Sequence, residues 1–126
     1  MWKPVREQRV LDWIAANSDE LVLSSIVLAE LRFYVAKQID GRRKTFVHNL
    51  LTAIDASVGK RFANFDAIDA SVYGDLMAAM RRAGTPIPVM DGLVAAQAMA
   101  RCYAVGTRNV KDFLPTGVEV INPWDA

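Results

Sequence analysis

The chain has 126 residues, 52% of them hydrophobic, which suits one soluble globular domain long enough to bury a core. The 15 Lys and Arg residues against 14 Asp and Glu leave a net charge near +1, without the basic excess of a strong general nucleic-acid binder. No apolar run reaches the roughly 18 residues of a membrane-spanning helix, and the N-terminus lacks the apolar stretch of a signal peptide. The sequence therefore predicts a cytoplasmic protein with no membrane partner.

The first half of the chain alternates helical patterns with one short strand. A helix is predicted over residues 5–17, with Pro4 near its start and one apolar face formed by Val10, Leu11 and Ile14. Leu21–Leu23 reads as a strand, after which Ser24 or Ser25 caps a helix running to about Ile39. This second helix has little polar face, which favours burial. Gly41 ends it or opens the next turn, and a strongly periodic helix follows over residues 43–57.

The second half continues the alternation. Asp66 is predicted to cap a helix that has Asp69 in its first turn and stops near Gly84. Pro86 and Pro88 exclude helix from the connection that follows. The remaining predicted elements are a strand over 60–65, an Ala-rich helix from Asp91, a strand over 103–106, a short helix over 110–113 and a strand over 118–121.

Strands separated by helices predict an α/β sandwich with a mainly parallel sheet, built as a single domain over residues 1–126. Ligands of open α/β sheets lie beyond the carboxyl ends of the strands. Residues 107–112 follow such a strand end, so the fold would have to bring any other site residue to that edge.

Glu30 and Asp91 are the most informative side chains, because each is a lone carboxylate in an otherwise apolar stretch. An isolated charge in such surroundings needs a partner, a metal or water. Two such acids on separate elements suggest a shared cation. The alternatives are an ordinary helix glutamate for Glu30 and a helix N-cap for Asp91, and capping can coexist with metal binding because a carboxylate has two oxygens.

Four stretches in this order resemble PIN-domain ribonucleases, and within them the VapC and FitB toxins of bacterial toxin–antitoxin pairs. They are Leu23-Ser24-Ser25-Ile26-Val27-Leu28-Ala29-Glu30, Pro86 through Ala96 with Asp91, Gly106-Thr107-Arg108-Asn109-Val110-Lys111-Asp112-Phe113, and the ending Val118 to Trp124. The resemblance implies a PIN-like α/β/α sandwich and a Mg²⁺- or Mn²⁺-dependent endoribonuclease. It places active-site acids at Glu30 and Asp91, and it implies an RNA substrate, a cognate antitoxin and a homodimer.

The third site cluster follows the 103–106 strand. The family often has an acid or Asn after Thr-Arg, and here Asn109 stands there. Asp112, one helical turn on, is the obvious substitute as a metal ligand, or else an ordinary first-turn acid. Thr107 and Asn109 are expected to orient a water or a phosphate. Ser24 and Ser25 either support Glu30 or cap its helix.

The chain departs from the family at its start. The family begins with an apolar strand ending in a metal-binding Asp, whereas Met1-Trp2-Lys3-Pro4 matches the family just after that strand. Met1 is either an internal methionine of a longer protein or the true start of a degenerate toxin. We therefore expect the 126-residue chain to be a poor nuclease. The alternative is a catalytically inactive remnant that keeps its dimer and antitoxin surfaces.

Other residues add less. Cys102 is expected to be a small core residue, and His48, the one histidine, to lie on a polar helix face, so a nucleophile–base triad has no support. RNA contacts would come from Arg42 to Lys44, Arg81 with Arg82, or Arg108 with Lys111, each of which is alternatively a solvated helix-end charge. A phosphoacceptor signalling domain would need an acid pair after its first strand and a lysine after its last strand. This sequence has neither, and we set that class aside.

Overall fold

The computed structural model describes residues 4–37, 41–58 and 61–125. The chain divides into two compact units, Met1–Ala63 with Trp124–Ala126, and Asn64–Pro123. All four strands are short and both strand pairs are parallel. The prediction of α/β structure with parallel pairing is therefore confirmed, whereas a single domain stays a prediction. Within the described residues, no helix combines the length and apolar character needed to cross a membrane.

The first unit packs helices around one apolar cluster and holds the first strand pair. Its elements are α1 (Pro4–Ala16), β1 (Leu23–Ser24), α2 (Ser25–Lys37), α3 (Arg42–Val58) and β2 (Phe62–Ala63). The periodic apolar positions of α1 and α3 form the core, which consists of Val10, Ile14, Phe46, Val47, Leu50 and Leu51. β1 pairs with β2 through Leu23 opposite Phe62. The predicted helix end at Ile39 and strand start at Lys60 lie outside the described residues.

The expected burial of α2 is wrong. Over Ser25–Lys37 the structure describes every residue and none is buried, although Leu28, Leu31 and Tyr34 pack partly against the core. Phe33 remains 67% exposed, with the Lys37 ammonium 5.3 Å from its ring centre. An apolar composition therefore does not ensure that a helix is buried.

The second unit is built on two long helices that lie side by side. Its elements are α4 (Ala67–Arg82), α5 (Val89–Arg101), β3 (Val105–Gly106), α6 (Val110–Phe113), a 3₁₀ turn (Leu114–Thr116) and β4 (Val120–Ile121). β3 pairs with β4, and the core between helices and strands consists of Leu76, Ala95, Ala98, Val105 and Phe113. β3 and β4 are each two residues long, whereas the sequence predicts four residues for each. Pairing is limited to Val105 with Val120 and Gly106 with Ile121.

Capping explains where α4 begins. The Asp66 carboxylate accepts a hydrogen bond from the Asp69 backbone N–H at 3.0 Å, and the Asp69 carboxylate accepts one from the Asp66 N–H at 2.9 Å. Two N–H groups that would otherwise be unpaired are satisfied reciprocally. The predicted N-cap at Asp66 is confirmed, and the helix ends at Arg82, two residues before the predicted stop at Gly84.

Cys102 differs from its prediction. It lies just after α5 in the left-handed backbone region, with φ of 56°, and it is exposed. The helix ends one residue earlier than an apolar pattern suggests, so the cysteine turns away from the core. His48, by contrast, is exposed on α3 as predicted.

The close approach of α5 to α4 gives the first prediction. A Cβ at Gly92 would lie 2.5 Å from Met77 Sδ and 3.2 Å from Tyr73 Cε2, whereas one at Gly74 on α4 would meet nothing within 4 Å. Gly74→Ala should stabilise the protein by about 0.5–1 kcal/mol, because alanine has less backbone entropy to lose in a helix. Gly92→Ala should not give this stabilisation, because the added Cβ would have to displace the Met77 and Tyr73 side chains.

Urea unfolding of the two variants measures the difference. Equal stabilisation by both substitutions would contradict the close contact between the helices.

Candidate metal-binding acid pair

Asp91 lies in the first turn of α5, but it does not cap the helix. α5 begins at Val89 with Pro88 as its N-cap, so Asp91 is the third helical residue. The Gly92 N–H donates to the Pro88 carbonyl at 2.9 Å and closes the first turn. The N-cap interpretation of Asp91 is therefore wrong, because helix starts two residues earlier than predicted. The carboxylate is left without a capping role at a half-buried position.

Asp112 is carried by the loop that leaves β3. The Thr107 N–H donates to the Ile121 carbonyl at 2.9 Å and so extends the pairing of β3 with β4. Its hydroxyl oxygen accepts a hydrogen bond from the Asn109 N–H at 3.0 Å, which turns the chain. The Asp112 N–H then donates to the Asn109 carbonyl at 3.2 Å in the first turn of α6. The predicted helix over 110–113 is confirmed.

The structure brings the carboxyl groups of Asp91 and Asp112 into contact. Burial raises the pKa of Asp91, and the nearby charge of Asp112 and a hydrogen bond between the two side chains raise it further. A hydrogen bond that raises the pKa is one that favours the protonated acid. The carboxyl groups of Asp91, on α5, and Asp112, on α6, therefore interact directly.

The donor chemistry of this pair fits a hard divalent cation. Mg²⁺ and Mn²⁺ favour carboxylate oxygens, and Mg²⁺ in proteins often takes only one or two carboxylates with water completing its shell. A cation held by both carboxylates would remove the repulsion between them. Among the described residues, no three His, Cys, Asp or Glu side chains are grouped so as to hold one metal ion. The pair is thus the part of the predicted site that the structure assembles.

Glu30 lies in the other unit, in the second turn of α2, where it is exposed. Its role as a metal ligand with Asp91 stays a prediction. Ser24 has a clear local role, since its hydroxyl oxygen accepts from the Ile26 N–H at 3.1 Å at the start of α2. Of the alternatives for Ser24, helix capping is therefore the one that the structure supports.

An ion pair that the sequence did not predict lies at the opposite end of α5. Arg101 donates from Nη1 to Asp69 Oδ1 at 2.6 Å and from Nη2 to Oδ2 at 3.1 Å. The Asp69 side chain is 1% exposed. Burial alone would raise the pKa of Asp69, but the hydrogen bonds from Arg101 and the Asp66 backbone and the Arg101 charge together lower it. The sequence marked Asp69 as the acid three residues after the N-cap Asp66, but it gave no signal for the pairing with Arg101.

The basic candidates in this unit are solvent-exposed. Arg81 and Arg82 lie in the last turn of α4, where positive charge favours the helix dipole. Arg108 and Lys111 are exposed on either side of Asn109, close in sequence to the acid pair.

Comparison with known proteins gives the family. No protein-family model matches the chain. A protein named VapC ribonuclease Y4jK from Sinorhizobium fredii is 38% identical over 127 residues, covering 99% of this chain and 91% of the relative. Toxin FitB from Neisseria gonorrhoeae is 32% identical over 124 residues, covering 97% and 89%. The crystal structure of FitAcB from the same organism superposes with a TM-score of 0.78 at 31% identity, covering 94% of this chain and 87% of that one.

The fold and these relatives define the class as PIN-domain proteins of toxin–antitoxin pairs. The chain belongs to the VapC and FitB family of PIN-domain toxins. The resemblance predicted from the four sequence stretches is confirmed.

The acid pair predicts a specific dependence of stability on pH. Because the folded-state pKa of Asp91 is raised, this group stabilises the fold below its unfolded pKa, and that stabilisation is lost as pH rises through the folded pKa. Without divalent cations, Asp91→Asn should therefore be more stable than the wild type at pH 7 by about 0.5–1 kcal/mol. The difference should vanish once the pH falls well below the unfolded Asp pKa of about 3.9, where the acid is protonated in both states.

Chemical unfolding in a chelating buffer at both pH values checks this sign. Asp75→Asn, an exposed acid on α4, is the matched control and should change little. A less stable Asp91→Asn at pH 7 would contradict the repulsive pair.

Proposed function

We propose that this protein is a metal-dependent endoribonuclease toxin that hydrolyses RNA phosphodiester bonds. The observation that carries the proposal is the contact between Asp91 and Asp112, two carboxylates held together in the first turns of separate helices. The relative named VapC ribonuclease supports the reaction class.

Asp91 and Asp112 are proposed to hold Mg²⁺ or Mn²⁺, with Glu30 as a further ligand implied by the family resemblance. When bound, such an ion supplies an activated water and stabilises negative charge on the phosphate. The two aspartates fix the ion at the edge where β3 ends. Their half-buried positions limit the number of water molecules that compete with substrate.

Thr107 and Asn109 are proposed to orient the substrate. The Thr107 hydroxyl accepts from the Asn109 N–H and in doing so keeps its own proton, which it can donate to a phosphate oxygen. In the described loop, the Asn109 side chain makes no capping hydrogen bond to α6, so its amide can position a water molecule. Exposed Arg108 and Lys111 supply positive charge for the RNA backbone next to the acids.

Binding of a cognate antitoxin and formation of a homodimer are proposed as well. Similar chains have been solved in complexes, FitAcB and FitAB. In this chain, the uncovered apolar side of α2, with Phe33 67% exposed, is a surface that a protein partner would cover. Light scattering of the purified chain should give twice the 13.9 kDa mass of one chain, and a monomer at high concentration would contradict the dimer.

Cleavage of RNA tests the catalytic proposal. The purified 126-residue chain, which we expect to be a poor nuclease, should cleave a mixed RNA substrate only slowly with Mn²⁺, and chelation should stop this cleavage. Asp91→Asn and Asp112→Asn should each lower the rate at least about 100-fold, because each removes a metal ligand. Asp75→Asn, purified in parallel, is the control for the effect of losing an acid elsewhere and should cleave like the wild type.

Two outcomes would contradict the proposal. Equal cleavage by Asp91→Asn and the wild type would remove the acid pair from catalysis. No cleavage by the wild type, with antitoxin still bound, would favour the inactive remnant.

A further inference from the structure

The feature that the proposed reaction does not use is the buried ion pair between Asp69 and Arg101. It joins the first turn of α4 to the last residue of α5. Arg101 donates to both oxygens of Asp69, to the Gln97 carbonyl at 3.1 Å and to the Asn64 carbonyl at 3.1 Å. Three groups therefore hold the guanidinium, namely the Asp69 carboxylate and the carbonyl oxygens of Gln97 and Asn64.

Stability alone is a weak reason for such a pair. Removing two charges from water costs several kcal/mol per ion, and apolar residues of similar volume are often as stabilising. A bidentate pair, however, has a strict geometry that apolar contacts lack. Its distinctive contribution is to specify one arrangement of the two helices.

Small side chains make up most of the rest of the buried surface of α5. The buried residues of α5 are the small residues Gly92, Ala95, Ala96 and Ala98, together with Gln97. Small side chains allow close packing, but they form shallow ridges and so resist sliding along the helix axis less than large ones. A shift of α5 along its axis would move Asp91 relative to Asp112, which α6 carries.

We infer that the Asp69–Arg101 ion pair is a positioning device for the metal site: it fixes the axial position of α5 and thereby holds Asp91 against Asp112. The inference rests on the proposed function. Asp91 and Arg101 lie on the same helix, ten residues or about 15 Å apart. A rigid helix transmits a displacement at its C-terminal end to its first turn without loss, so an anchor at Arg101 acts on Asp91. Neither Asp69 nor Arg101 needs to touch the ion or the RNA.

Metal affinity of the folded protein separates this role from a merely structural one. Asp69→Asn removes the charge, and Arg101→Lys keeps the charge but loses the two-point geometry. Both should weaken Mn²⁺ binding about 10-fold, the size of effect seen when groups that orient metal ligands are removed. Calorimetry is run at a temperature where circular dichroism shows each variant fully folded. Asp75→Asn on the exposed side of α4 is the control and should bind Mn²⁺ like the wild type.

The outcomes are distinguishable. If Asp69→Asn does not fold, Arg101→Lys decides the question. Lower thermal midpoints with unchanged Mn²⁺ affinity would overturn the inference and leave the proposed function standing. If the wild type does not bind Mn²⁺, or Asp91→Asn binds it as well as the wild type does, the proposed site fails and the inference fails with it.

Discussion

The contact between α4 and α5 is the constraint on which the second unit depends. At one end Gly92 lets α5 approach Met77 and Tyr73 closely, and at the other end Arg101 grips Asp69 with two hydrogen bonds. Between them lie alanines with no exposed surface, Ala95 and Ala96. This packing sets where α5 begins, and the beginning of α5 is where Asp91 stands. The geometry of the acid pair is therefore a consequence of helix packing.

The acid pair itself opposes stability. Two carboxylates in contact repel each other when both are charged, and burial of Asp91 adds to the cost. A fold selected for stability alone would replace one of them with a neutral side chain. Keeping both is understandable if a cation neutralises them during function, which is the usual reason for perturbed acids at a site. The Asp69 carboxylate is the opposite case. Its hydrogen bonds and its charge interaction with Arg101 outweigh the effect of burial, so its pKa is lowered.

The sequence predicted best where a local signal was strong. Asp66 with Asp69 three residues later gives a capping pattern, and the structure has that cap. The apolar periodicity of α1 and α3 likewise identified Val10, Ile14 and Leu50 as core. The start of α5 was placed too late, because Pro88 marks a helix start as readily as a preceding loop. Burial of α2 was overestimated because apolar composition does not distinguish a core helix from one with an exposed side.

The functional site could be predicted from the sequence only in part. The family resemblance pointed to Glu30 and Asp91, and Asp112 was predicted as a substitute ligand one helical turn after Asn109. The contact between Asp91 and Asp112 depends on tertiary packing that no short motif encodes. The ion pair of Asp69 with Arg101 spans 32 residues of sequence, and nothing local to either residue predicts the other.

The central claim is that Asp91 and Asp112 share one divalent cation. Anomalous diffraction from a crystal soaked in Mn²⁺ tests it most directly. The account predicts one strong anomalous peak about 2.0–2.2 Å from a carboxylate oxygen of each residue. A Mn²⁺ peak bound elsewhere, or an acid pair that stays metal-free while the protein cleaves RNA, would contradict it.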